Sequence, residues 1–366
     1  MKVLLLANHV NYGGIPAYLL NLAAGLHGKG DFEYTVASRG GELEEEFEKR
    51  GVRHIRLPLT TKCEISPKVF LSFLKLYKMV KETPIDVIHA NTRVTQVLAA
   101  LLSLFTGKPY ISTCHGYFKT RLGRRLLPCW GRKVIAISDQ VRDHLIHDFY
   151  LDPRKIELIY NGVDLEKFHP YTEEELRLEK KRLGLDEDKK IIGHIGRLSS
   201  VKGQKFLILA AEKLIQERKD IQFLIIGDGG EERDLKKLIE EKHLNAFVFI
   251  RPSIPDTALA LSLMDVFVMP SLQEGLGFSI LEAQAAGVAV AASRVGGIPT
   301  IVKDEVTGLL FSAGDVDSLA SVLSRLLRDQ SLRNVLVQNA RRQVRDKFSL
   351  SLMAEKTRAL YAFLIC

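Results

Sequence analysis

The chain has 366 residues, of which 46% are apolar and 26% charged, values that fit a globular protein of about two domains and exclude a disordered, collagen-like or disulfide-stapled chain. The formal net charge is +8 and it is uneven, because residues 1–165 carry +7 and the remainder +1. The four cysteines are scattered with no pair at metal-ligand spacing, so the sequence predicts no zinc site and a reduced, cytoplasmic compartment.

Short apolar runs recur along the chain and predict strands. The first series spans residues 3–7, 34–37, 54–57, 86–90, 110–114, 133–137 and 156–159, with helical patterns such as 15–26 and 69–81 between the runs. After a charged, proline-containing stretch at 168–190, a second series spans 191–195, 221–226, 247–250, 266–269, 288–291 and 308–311. Apolar strands that alternate with helices indicate parallel sheets covered on both faces. The sequence therefore predicts an α/β protein of two doubly wound, Rossmann-like domains that face each other across a cleft.

The predicted domains are residues 1–165 and 166–348, with a hinge near 161–170. The last helical pattern, at 349–366, has no strand after it. It could cap the second domain or cross back to the first, and the sequence leaves both possibilities open. Ligands of doubly wound sheets bind at the carboxyl ends of the strands, so the motifs that directly follow strands are candidate site residues.

Two glycines, Gly13 and Gly14, follow the first strand and precede a helix. Glycines at this place let backbone N–H groups approach an anion, although a plain strand-to-helix turn is the alternative. Neither this segment nor Gly227-Asp228-Gly229-Gly230 forms a GxGxxG fingerprint, which argues against a dehydrogenase.

Further along the chain, Arg197 and Lys202 follow the first strand of the second series and are five residues apart. The planar fork of arginine and the point charge of lysine together could clamp a diphosphate.

The densest group of polar and glycine residues spans 270–283. Glu274 lies in a loop after a strand, and Glu282 lies on the helix that follows. A carboxylate accepts hydrogen bonds from two neighbouring hydroxyls, so two carboxylates suit a sugar and a ribose. An exposed helix residue is the alternative for Glu282.

These motifs together resemble glycosyltransferase family 4, whose members have the GT-B fold and retain anomeric configuration. The resemblance rests on Asn161-Gly162-Val163-Asp164, Gly196-Arg197-Leu198, Gly227-Asp228-Gly229, Glu274-x7-Glu282 and Gly296-Gly297-Ile298-Pro299, in that order. It covers nearly the whole chain and is strongest over 155–315. It implies an acceptor-side domain at 1–165, a nucleotide-sugar domain at 166–348 and a C-terminal helix at 349–366.

The resemblance also implies a metal-independent hexosyltransferase without a cofactor, because the nucleotide sugar, UDP- or GDP-linked, is a substrate. The implied catalytic residues are His115, Arg197, Lys202 and Glu274. Donor contacts would come from Gly13, Gly14, Gly196, Gly275, Gly277, Phe278 and Glu282. His89 is a weaker candidate than His115, and for His115 the alternative is a structural histidine at a strand end. Arg251 stands where the family often has glycine, which leaves the nucleobase open.

The mechanism implied by the resemblance places attack on the face from which the diphosphate leaves, with a phosphate oxygen taking the acceptor proton. A retaining glycosidase would instead use two carboxylates that flank the bond, and no such pair is evident on the acceptor side.

The acceptor side is where the positive charge lies, since no acidic residue occurs between Asp86 and Asp139. A one-sided positive field attracts an anionic partner, with a solvated basic face as the alternative. The candidates for acceptor or membrane contact are Arg93, Lys119, Arg121, Arg124 and Arg125. The stretch 91–125 is similar to bacterial transferases that extend the lipopolysaccharide core, so we expect a glycolipid or glycan acceptor of the cell envelope.

The amphipathic pattern at 69–81 is typical of a segment that lies on an anionic membrane, although an ordinary surface helix is the alternative. The longest apolar stretch, 97–105, is about half a membrane span, and residues 1–8 are too short for a signal peptide. We therefore expect a cytoplasmic protein, peripheral on the cytoplasmic face of the inner membrane. Nucleic acid is not expected, because no known binding module is present. The alternatives are a GT-B enzyme that acts on a small soluble sugar, a nucleotide-sugar epimerase, and a non-catalytic nucleotide-sugar-binding protein.

Overall fold

The computed structural model describes residues 1–26, 32–61, 63–118, 120, 123–124, 127–254 and 256–365. The chain forms two compact units, Met1–Gly162 with Ser349–Cys366, and Val163–Phe348. Each unit contains one parallel sheet. All thirteen predicted strands are present in the described ranges, with ends displaced by two residues at most, so the predicted α/β class is confirmed.

The first unit has a seven-stranded parallel sheet in the order β3-β2-β1-β4-β5-β6-β7. Its strands are β1 Lys2–Leu6, β2 Glu33–Ser38, β3 Arg53–Arg56, β4 Val87–Ala90, β5 Tyr110–Cys114, β6 Lys133–Ala136 and β7 Ile156–Leu158. Its helices are α1 Gly14–Leu26, α2 Glu44–Lys49, α3 Pro67–Glu82, α4 Arg93–Thr106 and α5 Asp139–His147, with a 3-10 turn at Pro153–Lys155. The strand order reverses between β1 and β4, where Val3 pairs with Val87.

Helices cover both faces of this sheet. Leu5 of β1 packs in a core with α1 and α2, whereas Leu4 and Leu6 point into a second core with α3 and α4. Successive strand residues face opposite sides, so a sheet buried on both faces needs strands that are apolar throughout. This requirement explains why most positions of the central strands are apolar in the sequence, with buried polar residues such as His89 and Ser112 as exceptions.

The second unit has a six-stranded parallel sheet in the order β10-β9-β8-β11-β12-β13. Its strands are β8 Lys190–Ile195, β9 Ile221–Ile226, β10 Val248–Arg251, β11 Val266–Met269, β12 Ala289–Ser293 and β13 Leu309–Phe311. Its helices are α6 Glu173–Leu183, α7 Gln204–Glu217, α8 Glu232–Glu241, α9 Thr257–Ser262, α10 Phe278–Ala286, α11 Ile298–Ile301, α12 Val316–Arg328 and α13 Gln330–Lys347, with 3-10 turns at Leu165–Lys167 and Ser200–Lys202. The order reverses between β8 and β11, which pair through Ile192 and Val266.

Helix α6 lies inside the stretch 168–190, which the sequence analysis treated as a charged connector. Thr172 and Glu175 form a capping box at its start, and Gly184 ends it with a left-handed φ of 68°. Both features are helix boundary signals that were present in the sequence. The helix was not predicted because its composition is charged and it has no apolar face: only Glu179 and Leu183 are buried.

The C-terminal helix, α14 (Leu350–Ile365), packs on α1 within the first unit. The two helices are so close that a Cβ on Gly25 of α1 would lie 2.8 Å from the Ala354 Cβ. Gly25 therefore sits where only glycine fits without movement. No helix in the described ranges is long and apolar enough to cross a bilayer.

Candidate active site

The candidate residues of the second unit gather at the carboxyl ends of β8 and β11, where the strand order reverses. Lys202 ends the 3-10 turn after β8, and Glu274 lies in the loop after β11. Lys202 Nζ and Glu274 Oε2 are 2.5 Å apart. Gly203 brings the two segments together, since its φ is 69° and a Cβ there would lie 2.1 Å from the Pro270 carbonyl oxygen. Lys202 and Glu274, predicted to bind different parts of a donor, thus form an ion pair.

Backbone N–H groups hold the loop that carries Glu274 in place. The Gly275 N–H donates to Glu274 Oε1 at 3.3 Å, and the Gly297 N–H donates to the Glu274 carbonyl at 3.0 Å. A Cβ on Gly297 would lie 1.9 Å from the Gly275 carbonyl oxygen. Gly297, noted in the sequence only as part of a motif, is therefore needed for packing against the Glu274 loop.

Helix α10 begins directly after this loop. Gly277 precedes it with a φ of 94°, and no side chain of the described residues caps its first turn. The first N–H groups of a helix lack intrahelical partners and carry partial positive charge. Phe278 and Gly277 thus lie where backbone N–H groups suit an anion or a hydroxyl oxygen.

Glu282 lies on α10, four residues after Phe278, and is partly buried. Burial raises the pKa of its carboxyl to about 7, and the Thr257 hydroxyl, which donates to Oε1 at 3.2 Å, only partly offsets that effect. The carboxyl therefore changes charge near neutral pH. An exposed helix residue, the alternative considered from sequence, does not describe this environment.

Arg197 is exposed and has no ion-pair partner among the residues that the structure describes. Its position is set by its backbone, because Gln204 Nε2 donates to the Arg197 carbonyl at 2.9 Å. Gln204 also donates to His194 Nε2 at 3.1 Å, and His194 Nδ1 donates to the Val268 carbonyl at 2.8 Å. This chain of hydrogen bonds ties the Arg197 loop to β8 and β11, while Gly196 donates to the Ile226 carbonyl at 3.0 Å.

His194 and Gln204 were not among the residues predicted from the sequence to form the site. Both are buried, and burial lowers the pKa of His194 to about 4, so the ring is neutral at pH 7. Among the described residues, no group of three or more histidine, cysteine, aspartate or glutamate side chains is placed to hold a metal ion. The only feature of the sequence that pointed to these hydrogen bonds was a histidine within an apolar strand. Such a histidine does not by itself show which residue it contacts.

In the first unit, Gly13 lies in the loop after β1 and directly precedes α1, of which Gly14 is the first residue. The φ of Gly13 is 155°, and a Cβ on either glycine would meet no described atom within 4 Å. Internal packing therefore does not explain these two glycines. The open space in front of their backbone fits close approach of a ligand.

His115 follows β5 and is half-buried. Its Nε2 lies 3.0 Å from Asn91 Oδ1. The Asn91 amide nitrogen donates to two backbone carbonyls, those of Leu6 and His89, so Oδ1 is the acceptor and His115 carries its proton on Nε2. Burial lowers the pKa of His115 to about 3. The neutral ring keeps Nδ1 as an acceptor for a hydroxyl, and it is not a general acid at neutral pH.

His89, the weaker candidate, is fully buried beneath His115. Its Nδ1 lies 2.7 Å from the Tyr361 hydroxyl of α14, and its Nε2 lies 2.7 Å from Thr113 Oγ1. Burial lowers its pKa to about 3. Both ring nitrogens form hydrogen bonds with protein hydroxyls, so His89 has a structural role.

Replacing Tyr361 with phenylalanine should lower the free energy of unfolding by about 1–3 kcal/mol, because His89 Nδ1 then loses its hydrogen bond inside the core. Urea unfolding of the full chain measures this loss. Tyr150→Phe is the matched control, since the Tyr150 ring is 82% exposed and its change should stay within about 0.5 kcal/mol. Equal effects of the two substitutions would show that the buried hydroxyl does not stabilise the fold.

The sequence predicted that Arg93 and Arg124 contribute to an exposed basic surface. In the structure, both side chains are bound within the first unit. Arg93 donates to Glu64 Oε1 at 3.2 Å and to the Leu127 and Pro128 carbonyls at 2.7 and 2.9 Å. Arg124 is only 7% exposed, with its guanidinium 3.9 Å from the Phe118 ring centroid. These side chains turn inward because a planar guanidinium stacks on aromatic rings and bonds carbonyls well. Lys119, Arg121 and Arg125 lie outside the described residues.

An exposed surface that combines apolar and basic side chains lies instead on α3 and α4. Its members, called here the α3–α4 face, are Phe70, Leu71, Leu74, Lys75, Lys78, Leu104 and Phe105. Phe73, buried below them, joins the two helices through contact with Phe105, their ring centroids being 5.3 Å apart. The expected amphipathic segment at 69–81 is thus present as part of α3.

Known protein families match both units of this chain. The model described as Glycosyl transferases group 1 matches residues 177–343, and the model described as Glycosyltransferase Family 4 matches residues 12–167. The two matches lie in the two units separately, one around the Lys202–Glu274 pair and the other around Gly14 and His115.

Individual proteins are similar over most of the chain. A UDP-Gal:alpha-D-GlcNAc-diphosphoundecaprenol alpha-1,3-galactosyltransferase of Escherichia coli is 31% identical over 305 residues, covering 79% of this chain and 78% of that protein. A D-inositol 3-phosphate glycosyltransferase of Frankia alni is 31% identical over 282 residues, covering 70% and 69%. The crystal structure of Anabaena Alr3699/HepE in complex with UDP-glucose superposes with a TM-score of 0.87 at 22% identity, covering 99% of this chain and 100% of that one.

Proposed function

Because the chain belongs to glycosyltransferase family 4 and has the GT-B fold, we propose that it transfers a hexose from a nucleoside-diphosphate sugar to a lipid-linked glycan of the cell envelope, with retention of configuration. The observation that carries the donor assignment is the gathering of Arg197, the Lys202–Glu274 pair and the start of α10 at the switch point of the second sheet. The donor is UDP- or GDP-linked in this proposal.

The donor diphosphate would be held by Arg197, Lys202 and the N–H groups at the start of α10. These groups oppose the negative charge that grows on the leaving diphosphate, and such fixed positive groups are worth most at the transition state. Glu274 would accept hydrogen bonds from hydroxyls of the sugar, and Glu282 would accept hydrogen bonds from the ribose hydroxyls. Because protein cations carry the charge stabilisation in this proposal, activity should survive chelation by EDTA.

The proposed transfer proceeds on one face of the sugar. The acceptor oxygen bonds to the anomeric carbon as the bond from that carbon to the diphosphate oxygen breaks, and the acceptor proton passes to a phosphate oxygen. Glu274 is a poor candidate for a covalent nucleophile, because Lys202 and the Gly275 N–H already stabilise its negative charge. His115, neutral at pH 7, would accept a hydrogen bond from the donor sugar through Nδ1.

Affinity for the nucleotide sugar should rise with pH through about pH 7, because Glu282 is protonated below its raised pKa and ionised above it. The ionised carboxylate accepts stronger hydrogen bonds from the two ribose hydroxyls than the neutral acid does. We expect this difference to lower Kd about tenfold. Calorimetry with an intact nucleotide sugar between about pH 6 and 8 measures the change, since its diphosphate does not titrate in that range.

Glu282→Gln provides the control for that pH dependence, since the amide is neutral at every pH and should give a flat profile. If the variant keeps the slope, another group causes the dependence and the ribose assignment of Glu282 fails.

A thermal-shift panel of UDP, GDP, ADP and CDP tests the donor site directly. A nucleotide at 100 times its Kd adds about 2.7 kcal/mol of stability. One nucleotide should stabilise the wild-type chain and leave Arg197→Ala unchanged. If neither the nucleotides nor intact nucleotide sugars stabilise the protein, the assigned diphosphate site is wrong.

The acceptor proposal draws on two relatives that differ in acceptor. The Escherichia coli relative is a galactosyltransferase named for a lipid-diphosphate acceptor, and the Frankia alni relative is named for D-inositol 3-phosphate. The second supports transfer to a small soluble acceptor as the alternative. Incubation of a radiolabelled donor with cell membranes or with the soluble fraction separates them, because a lipid-linked product extracts into butanol and a soluble product stays in water.

The α3–α4 face supports peripheral contact with an anionic membrane. Its exposed rings and leucines can enter the headgroup region while Lys75 and Lys78 meet anionic lipid. Sedimentation with phosphatidylglycerol vesicles should exceed that with phosphatidylcholine vesicles and weaken with salt. Lys78→Glu should lower it, whereas Lys237→Glu on α8 of the second unit should not; equal binding to both vesicle types would refute the membrane proposal.

A further inference from the structure

An open cavity of about 900 Å³ lies beside α4 in the first unit. Most of its wall precedes strands: Tyr110 begins β5, Gly131 precedes β6, and Lys155 precedes β7. Ligands of doubly wound sheets bind at the opposite, carboxyl ends, where His115 lies. The cavity is therefore distinct from the candidate active site, and its volume is in the range of small-molecule sites, about 300–1,000 Å³.

The cavity contains a buried cation with unused hydrogen-bonding capacity. Arg124 is 7% exposed, and its guanidinium carbon lies 3.9 Å from the Phe118 ring centroid and 5.5 Å from that of Trp130. Its Nη1 atom is buried and has no hydrogen-bond partner in the part of the chain that the structure describes. Burial lowers the pKa of Arg124 to about 10, so the side chain is still charged at neutral pH. Because Nη1 has no accessible surface, a ligand would meet the part of the guanidinium that lines the cavity. An anion there would offset the cost of a buried positive charge that has no paired carboxylate among the described residues.

No carboxylate of the cavity wall supplies this anion. The described lining residues include Arg132 and Lys155 but no aspartate or glutamate. Glu64, the one described carboxylate whose charge acts on Arg124, is already bound to Arg93 at 3.2 Å. The local charge is therefore positive and unbalanced.

The backbone of the wall is held in an unusual conformation at two places. Cys129 has a φ of 49° and Tyr150 a φ of 54°, and both line the cavity. Such positive φ values are rare for residues other than glycine, and they persist where the surroundings impose them, commonly at ligand sites. The aromatic rings of Trp130 and Phe149, whose centroids lie 5.5 and 5.8 Å from the Arg124 guanidinium carbon, supply an apolar wall next to the cation.

We propose that this cavity binds a phosphate ester that carries an apolar portion, with the phosphate paired to Arg124 and reached by Lys155 from the rim. The apolar portion contacts the aromatic wall. The same chemistry occurs in a soluble phosphate ester and in a phospholipid headgroup. Leu104, which follows the lining residue Ser103 and is 76% exposed, extends the apolar surface beyond the cavity, and this favours the lipid source.

The single tryptophan of the chain makes the test specific. Trp130 lines the cavity, so its fluorescence responds to this site directly. The full-length protein is titrated with butyl phosphate, a soluble ester with an apolar chain, and, separately, with monomeric dihexanoyl phosphatidic acid. A saturable change in emission is expected with at least one probe, and Lys155→Gln and Arg124→Gln should each weaken it about tenfold or more.

Arg154→Gln is the matched control, because Arg154 is exposed next to Lys155, pairs with Asp152 and does not line the cavity. Arg197→Ala, in the other unit, should also keep the response, so failure of the donor assignment does not affect this test. Lys155 is exposed, and its substitution remains informative even if Arg124→Gln fails to fold.

The outcomes separate the two sources of the phosphate. Binding of dihexanoyl phosphatidic acid about tenfold tighter than butyl phosphate assigns the cavity to a lipid headgroup, and equal binding assigns it to a soluble ester with an apolar portion. No saturable change with either probe overturns the proposal. A change that Lys155→Gln leaves intact overturns it as well.

Discussion

Arg197→Ala is expected to lower kcat about 100- to 1,000-fold, the range found when a preorganised donor to a developing negative charge is removed. Arg197 is exposed at the switch point of the second sheet without an ion-pair partner among the described residues, so its charge is available to a ligand. The His194–Gln204 hydrogen bonds fix the Arg197 backbone, and the loss of the side chain should therefore leave the loop in place. Steady-state kinetics with the nucleotide sugar found in the thermal-shift panel measure kcat and KM separately.

Arg342→Ala is a suitable control, since Arg342 is an exposed arginine on α13 of the same unit. It should change kcat by less than about twofold. A loss below about tenfold for Arg197→Ala would count against stabilisation of the leaving diphosphate as the main source of catalysis. A rise in KM alone would show that Arg197 binds the ground state and the transition state equally.

Glu274→Gln is expected to lower kcat/KM about 100-fold. The substitution removes a carboxylate that we assign to the sugar hydroxyls, and it also leaves Lys202 without the partner that lies 2.5 Å away. An unpaired Lys202 is free to take other positions, so the diphosphate contact weakens at the same time. The isosteric amide preserves the shape of the loop, which the Gly297 N–H also holds through the Glu274 backbone.

The double variant with Lys202→Met separates the two effects of Glu274→Gln. If the ion pair positions Lys202, the double variant should lose less activity than the sum of the two single losses, with a coupling of about 0.5–3 kcal/mol. Strict additivity would show that the two residues act independently. In that case the 2.5 Å contact has no role in the reaction, and Glu274 acts on the sugar alone.

The main features of the fold were predictable because each follows from a short-range pattern. In β9 all six residues are buried and all but Gln222 are apolar, because helices cover both faces of the sheet. Motifs after strands could be assigned to the carboxyl edge of a sheet without coordinates. Helix α6 was missed although its capping box and terminal glycine were present, because little of its surface is buried.

The candidate site was predictable as a set of residues but not as an arrangement. The positions of Arg197, Lys202 and Glu274 after strands followed from the sequence. The direct pairing of Lys202 with Glu274 did not, since 72 residues separate the two side chains. His194 was overlooked for a related reason, because its partner Val268 is 74 residues away and meets it only when the chain folds.

By itself the sequence determined the α/β class, the two sheets, the family and the glycines at the strand ends, because these depend on local patterning and on ordered motifs. Only the tertiary structure decided the environment of each charge. It buried Arg124 among aromatic rings, bound Arg93 to Glu64, and raised the pKa of Glu282 to about 7. The charge of a residue is set by its type, whereas its solvation and its partners are set by segments that meet only when the chain folds.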